Sequence, residues 1–351
     1  MYRKILNRLT GLGLTALPLL LSSVQAQPQP KVPSQAKPQP VVKAPLLKTP
    51  VQPSQAEVLI ILPASGPMSV AASSVRDGIE AAYYAGNSRP VLRFVDNSQR
   101  AITDILKTEV KKNTQLIIGP LARNEVEALV QAKPAVKTLA LNQVYKTEPN
   151  IWQFALSPDE DALAITKRIQ TDGISQLFVL TQDNQSSSTK RFREAMNRIW
   201  GGKLVDSNNV PRKLEPQQGI LLLGDYDWLN QLKKLPNEKI YTVPLAIKEN
   251  ASLPVGLQFC DIPALYKADW PELLKAYQDK PTSVPYQRLL AFGGDTWNIA
   301  SIILNNTSGK QPDTQQGQTI HGRTGTIRIV KNTIDRYPQC MKVENTGLSF
   351  N

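Results

Sequence analysis

One histidine, His321, stands in this sequence, so any nucleophilic serine would have to take its general base from that single side chain. His321 lies in the string His321-Gly322-Arg323-Thr324-Gly325, which reads as a turn leading into a strand. Ser65, the best placed hydroxyl, follows an apolar run and has no neighbouring base, so it reads as a turn residue that also donates to a ligand. No G-x-S-x-G elbow, no G-x-G-x-x-G after a strand and no phosphate-binding loop occurs. The acidic residues have local explanations. Asp159 and Glu160 follow Ser157-Pro158 and neutralise a helix N-terminus; Asp225 and Asp227 flank Tyr226 at another helix start; Asp295 reads as an N-cap or turn residue more than as a cleft group. Two cysteines and one histidine lack zinc-ligand spacing. The expectation is a protein that binds and does not catalyse, with no metal and no cofactor.

Cys260 and Cys340 are the only cysteines. In an exported chain an even pair favours a disulfide, with two unpaired buried thiols as the alternative. The bond would close a loop of 80 residues, which the chain-entropy model values at roughly 4 kcal/mol. Export is expected from residues 1–26: Arg3, Lys4 and Arg8 precede an apolar stretch from Leu9 to about Leu21, and Val24 and Ala26 supply a small-residue cleavage site. That stretch is too short to span a bilayer, and no later segment is apolar enough. Residues 27–56 then repeat proline with Gln, Lys and Val from Pro28 to Pro53, the composition of an extended, disordered linker. Its four lysines give it a second reading as a tether touching anionic envelope polymers, peptidoglycan among them. Leader and linker carry much of the formal net charge of +12, and no arginine stripe is interleaved with aromatics, so nucleic acid is not an expected partner.

From Glu57 the pattern alternates. Apolar runs of strand length at 58–62, 91–95, 116–118 and 138–141 are separated by segments with helical spacing, such as Val75, Ile79, Ala82 and Tyr83. Ser157-Pro158-Asp159-Glu160 has the form of a capping box with proline at the first helical position, and Gly173 ends that helix. Strands at 177–180, 220–223 and 240–243, a helix from about Pro285 to Asn305 and a strand at 326–330 complete the series. The five tryptophans are scattered and read as core. Apolar strands between amphipathic helices make an α/β fold with parallel sheets covered on both faces. The length suits two lobes within 57–351: one of about 57–156 plus 286–308, the other of about 157–285 plus 309–351. Facing strand ends would form a cleft, with Ser65, Gly66, Asn142, Gln143 and Tyr145 as candidate ligand contacts. Their hydroxyl, amide and backbone donors suit a carboxylate, so a solute-binding protein for an amino acid, small peptide or cell-wall fragment is one functional reading, while turn and helix-capping roles are the favoured reading of these residues.

Several strings carry a narrower resemblance. The segment Ile61-Leu62-Pro63-Ala64-Ser65-Gly66-Pro67, followed by Val75-Arg76-Asp77-Gly78, resembles the opening of the type I periplasmic-binding-protein domain. With Ile118-Gly119-Pro120-Leu121, Phe154-Ala155-Leu156-Ser157-Pro158 and Gln258-Phe259-Cys260-Asp261-Ile262-Pro263, the chain is similar to the C-terminal domain of the penicillin-binding protein activator LpoA family. That resemblance implies a two-lobed type I periplasmic-binding-protein fold, two doubly wound parallel sheets joined by a hinge. It also implies a non-enzymatic periplasmic cofactor that contacts a class A penicillin-binding protein and stimulates peptidoglycan transpeptidation. Members are outer-membrane lipoproteins with an N-terminal helical-repeat domain. Here the leader ends without a cysteine and the proline-rich segment precedes the α/β region, so export to the periplasm without a lipid anchor is the expectation.

Overall fold

The computed structural model describes residues 55–87, 90–183, 186–305 and 317–350. The leader and all but the last two residues of the proline-rich linker lie outside them. The first lobe alternates β1 (Glu57–Ile61), α1 (Ser69–Ala85), β2 (Val91–Val95), α2 (Ile102–Glu109), β3 (Thr114–Ile118), α3 (Arg123–Ala132), β4 (Thr138–Ala140) and β5 (Ile151–Gln153). Its five strands form one parallel sheet in the order β2-β1-β3-β4-β5. β1 is buried along its whole length because both faces are covered. Val58 and Ile60 join the core beside α1, while Leu59 and Ile61 join a separate core with Ile105 of α2 and Val126 and Leu129 of α3.

The second lobe runs through α4 (Pro158–Thr171), β6 (Gln176–Thr181), α5 (Ser187–Ile199), β7 (Lys203–Asp206), β8 (Gln218–Leu223), α6 (Tyr226–Leu229), β9 (Ile240–Thr242), β10 (Leu257–Asp261) and α7 (Pro271–Asp279). The helix α8 (Val284–Asn305) follows, then β11 (Gln318–Gly322), β12 (Gly325–Val330), β13 (Thr333–Tyr337), β14 (Gln339–Glu344) and β15 (Gly347–Phe350). The lobe's sheet has the order β15-β14-β10-β9-β8-β6-β7. It is parallel from β7 to β10 and closes antiparallel through β14 and β15. Cys260 and Cys340 face each other in the β10–β14 register and are joined as a disulfide.

α8 couples the lobes. Near its start, Arg288 donates to the Asp261 carboxylate at 2.6 and 2.9 Å and to the Pro244 carbonyl at 3.0 Å, both in the second lobe. Further on, Phe292, Trp297, Ala300 and Ile303 belong to the first-lobe core, where Phe292 stacks on Phe154 with ring centroids 4.8 Å apart. α8 lies against α1 backbone to backbone. A Cβ on Gly78 would fall 2.0 Å from the Leu290 carbonyl oxygen, and one on Gly293 2.1 Å from that of Val75, so both crossing positions require glycine.

β11, β12 and β13 form a small antiparallel sheet of their own. Ile327, Ile329 and Ile334 from it pack into the first-lobe core, whereas Met341 and Val343 of β14 pack into the second. The segment 317–350 is therefore shared between the lobes, where the sequence led us to expect 309–351 wholly in the second. The strand expected at 326–330 is present but does not end the fold, since three strands follow it.

Candidate functional site

A cavity of about 560 Å³ opens where the lobes meet. The first lobe contributes Arg123 at the start of α3 and Gln143 and Tyr145 from the loop after β4; the second contributes Asp159 of α4 and Arg191 and Arg198 of α5. The turn between β12 and β13 supplies further wall, with Ile151 and Gln153 of β5 and Glu194 of α5. Asp159 receives Arg191 at 3.2 Å and Arg198 at 2.5 Å, and the Arg123 guanidinium lies 5.7 Å from the ring of Tyr145. Tyr145 is 96% exposed, so its ring is a surface feature and not part of a closed pocket.

The five expected ligand contacts do not converge. Gln143 and Tyr145 line this cavity, but Asn142 is engaged within its own lobe, donating to the Leu121 carbonyl at 3.0 Å and accepting from the Gln143 N–H at 2.9 Å. The Ser65 N–H donates to Ser98 Oγ at 2.9 Å, and Gly66, with φ at +80°, makes the turn into α1. Ala64 and Ser69, on either side of these two, line a different cavity of about 340 Å³ with Arg76 and Phe94. His321 is exposed on β11. No group of three or more His, Cys, Asp or Glu side chains placed to hold a metal ion occurs among the described residues.

Beneath the interlobe cavity lies a buried ionic junction that residue spacing did not reveal. Arg336 of β13 is fully enclosed and bonds two of the three acids of the α4 first turn, Glu160 at 2.9 Å and Asp161 at 2.8 Å. Its own backbone N–H also donates to Glu160, at 3.2 Å. Ser157 caps α4 by accepting from the Asp159 N–H at 3.2 Å, as expected of the capping residue. Glu160, however, does not reach back to complete a capping box; its carboxylate is held by Arg336. Burial pushes the Glu160 carboxyl up to about 7, with the Arg336 charge pulling down and neighbouring Asp161 pushing up.

Asp295 is the second anchor. It sits inside α8, fully buried, and its carboxylate accepts from the N–H groups of Arg323 and Thr324 at 2.8 and 2.7 Å and from Thr324 Oγ1 at 2.7 Å. It thus holds the β11–β12 turn. A Cβ on Gly322 would lie 2.6 Å from Asp295 Oδ2, so the carboxylate occupies the space a side chain there would need. Burial raises the Asp295 carboxyl above its ordinary range despite these bonds. The Arg323 guanidinium completes the junction, reaching Asp295 at 3.3 Å and Glu272 of α7 at 2.5 Å. The chemistry available here is mutual neutralisation, which fastens α4, α7, α8 and the small sheet together.

Two α/β lobes built on largely parallel sheets and crossed by one helix, with a cavity at their junction, define a fold of the periplasmic-binding-protein type. The "LppC putative lipoprotein" family matches residues 28–221, more than half of the sequence, and the chain belongs to that family. The penicillin-binding protein activator LpoA of Glaesserella parasuis serovar 5 is 24% identical over 303 residues, covering 78% of this chain and 51% of that protein. LpoA of Escherichia coli strain K12 is 24% identical over 346 residues, covering 80% and 50%. The chain thus spans about half the length of the curated relatives it matches. Among solved structures, the LpoA C-domain from Haemophilus influenzae, described as a regulator of PBP1A, superposes with a TM-score of 0.69 at 19% identity, over 84% of this chain and all of that one. A "putative branched-chain amino acid ABC transporter" from Chromobacterium violaceum superposes with a TM-score of 0.63 at 21% identity, over 82% and 99%. Both likenesses show the fold.

Proposed function

We propose that this chain is a non-enzymatic activator of peptidoglycan synthesis in the cell envelope, which binds a class A penicillin-binding protein and stimulates its transpeptidase activity. The observation that carries this reading is the family match together with relatives named as penicillin-binding protein activators across about four-fifths of the chain. The state of the charged groups at the lobe junction supports it. Arg323 and Arg336 are engaged by carboxylates in buried bonds, and Glu160, although burial raises its carboxyl, is held by Arg336 and does not face the open cavity lining. An activator needs a stable shape with partner-facing surface, and the junction supplies the stability. The test is glycan-strand crosslinking by the host's class A penicillin-binding protein with and without the purified chain. Increased crosslinking is expected; an unchanged product profile at saturating chain would refute the reading.

A second reading has one observation in its favour, the interlobe cavity lined by Gln143 and Tyr145. As a solute-binding protein the chain would take an amino acid, small peptide or cell-wall fragment there. Arg191 and Arg198 already face Asp159, and Arg123 lies 3.6 Å from Glu127, which leaves little unsatisfied charge for a free carboxylate. A thermal-shift screen tests it, because any ligand that binds only the folded chain must raise its apparent stability. Absence of a shift with every such solute would remove this reading.

A further inference from the structure

A larger cavity, about 730 Å³, lies in the second lobe between α4, the segment after β10, the β11–β12 hairpin and the link from β13 to β14. Its size falls in the range of roughly 300–1,000 Å³ typical of ligand sites. Its charge is one-sided. Lys167 of α4, Lys267 and His321 bring cationic or donor groups, Trp270 and Tyr337 bring rings, and Asp269 is the one carboxylate in the lining. Arg168 also lines it, but its guanidinium is held by Asp172 and by Gln258, the latter at 2.7 Å.

The two lysines differ from the arginines of the junction. Neither has a carboxylate within ion-pair distance among the described residues, and both lie over aromatic rings instead. The Lys167 ammonium is 4.9 Å from the centre of Tyr337, and that of Lys267 is 4.7 Å from the centre of Phe350. A ring beneath the stem fixes where the charge is presented without neutralising it. The frame around them is stiff. Cys340 in the lining is joined to Cys260 across β10 and β14, and the Ala264 N–H donates to the Arg323 carbonyl at 3.1 Å, tying the segment after β10 to the hairpin turn.

We propose that this groove binds an acidic peptide segment of a protein partner, with carboxylates on Lys167 and Lys267 and an aromatic or apolar side chain against Trp270. The inference rests on the reading that the chain acts through a protein partner. The two ammonium groups without a carboxylate partner decide the chemical class. A neutral glycan could bond Thr171, Thr326 and Gln339 of the lining but would leave both ammonium groups without counter-charge. An acidic peptide supplies only acceptors at its charged positions, and electrostatic complementarity of this kind sets specificity and association rate.

The experiment uses the full chain and a fluorescein-labelled pentapeptide of sequence Glu-Glu-Tyr-Glu-Glu, read by fluorescence anisotropy. Binding is expected, weakened by added salt, and at least about tenfold weaker in the Lys167→Glu, Lys267→Glu double variant because two attractions become repulsions. The Lys167→Arg, Lys267→Arg variant should bind like the parent. Thermal melts verify folding, and the Lys167→Gln, Lys267→Gln pair serves if the charge reversal does not fold. A peptidoglycan disaccharide-tetrapeptide should not displace the probe. No peptide binding, equal binding by the charge-reversed variant, or displacement by the disaccharide-peptide would overturn the inference. Capture of the class A penicillin-binding protein separates the two claims. Capture by the parent but not by the charge-reversed chain supports the groove as its docking site, and capture by both overturns that role. If the parent binds the peptide but captures no penicillin-binding protein, the groove stands and the proposed function falls.

Discussion

His321 and Arg323 are two residues apart on one hairpin, and their surroundings are opposite. Arg323 is almost fully buried and meets Asp295 and Glu272, while His321 is exposed beside Lys167 and Lys267 in the groove. The same division holds around them: the junction pairs its guanidiniums with carboxylates, and the groove sets its ammonium groups over rings. Buried charge must be matched or it destabilises the fold. Charge left unmatched at a stiff, open surface costs little in water and remains available to a partner. The contrast separates ionic groups that build the molecule from those that address something outside it.

The sharpest way to break that contrast is Arg336→Met, which leaves Glu160 and Asp161 buried without their counter-charge. A loss of about 3–5 kcal/mol in denaturant unfolding is expected, with partial recovery when Glu160→Gln is added. A loss under about 1 kcal/mol would show that the junction is not structural. Next in size is the paired change Cys260→Ser and Cys340→Ser, which should cost about 2–4 kcal/mol by releasing the 80-residue loop. An unchanged midpoint would mean that the β10–β14 pairing holds the groove frame without the covalent bond.

The pH dependence comes third. Glu160 has a carboxyl raised from 4.5 to about 7, so between those values the folded state holds a proton that the unfolded state releases. Stability should therefore fall as pH rises from about 4.5 to 7, by up to about 3 kcal/mol for this group. Glu160→Gln should flatten that part of the curve, and a parent profile already flat there would contradict the burial argument. The smallest effect is expected from Lys167→Ala with Lys267→Ala. We expect a change within about 0.5 kcal/mol, since these side chains hold no structural ion pair. A larger loss would move the lysines from the address to the frame.

What the sequence disclosed follows the range of the forces involved. β1, α1, β3 and α8 were legible because their apolar periodicity is local, and Ser157 was legible because a cap bonds a residue two positions away. β5, three residues long, and the antiparallel strands β13 to β15 carry too little pattern of their own and are defined by what they pair with. Arg336 was missed because its partners lie 175 and 176 positions away. Asp295 was expected to be an N-cap or turn residue; it lies instead inside α8 and holds a turn 28 and 29 residues further along. Of the expected cleft contacts, Gln143 and Tyr145 come together with groups from the other lobe. Asn142 went into local bonding, which composition alone does not distinguish from ligand binding.

The late strands bear on how such a chain is completed when it emerges vectorially, N-terminus first. The first-lobe core includes Ile327, Ile329 and Ile334, and the second-lobe sheet takes β14 beside β10, so each half waits for residues beyond 320 before its apolar surface is closed. Neither lobe is a finished unit while the last segment is still in transit. For a time the emerging chain carries two partly open cores, and one arriving stretch of about thirty residues seals them together.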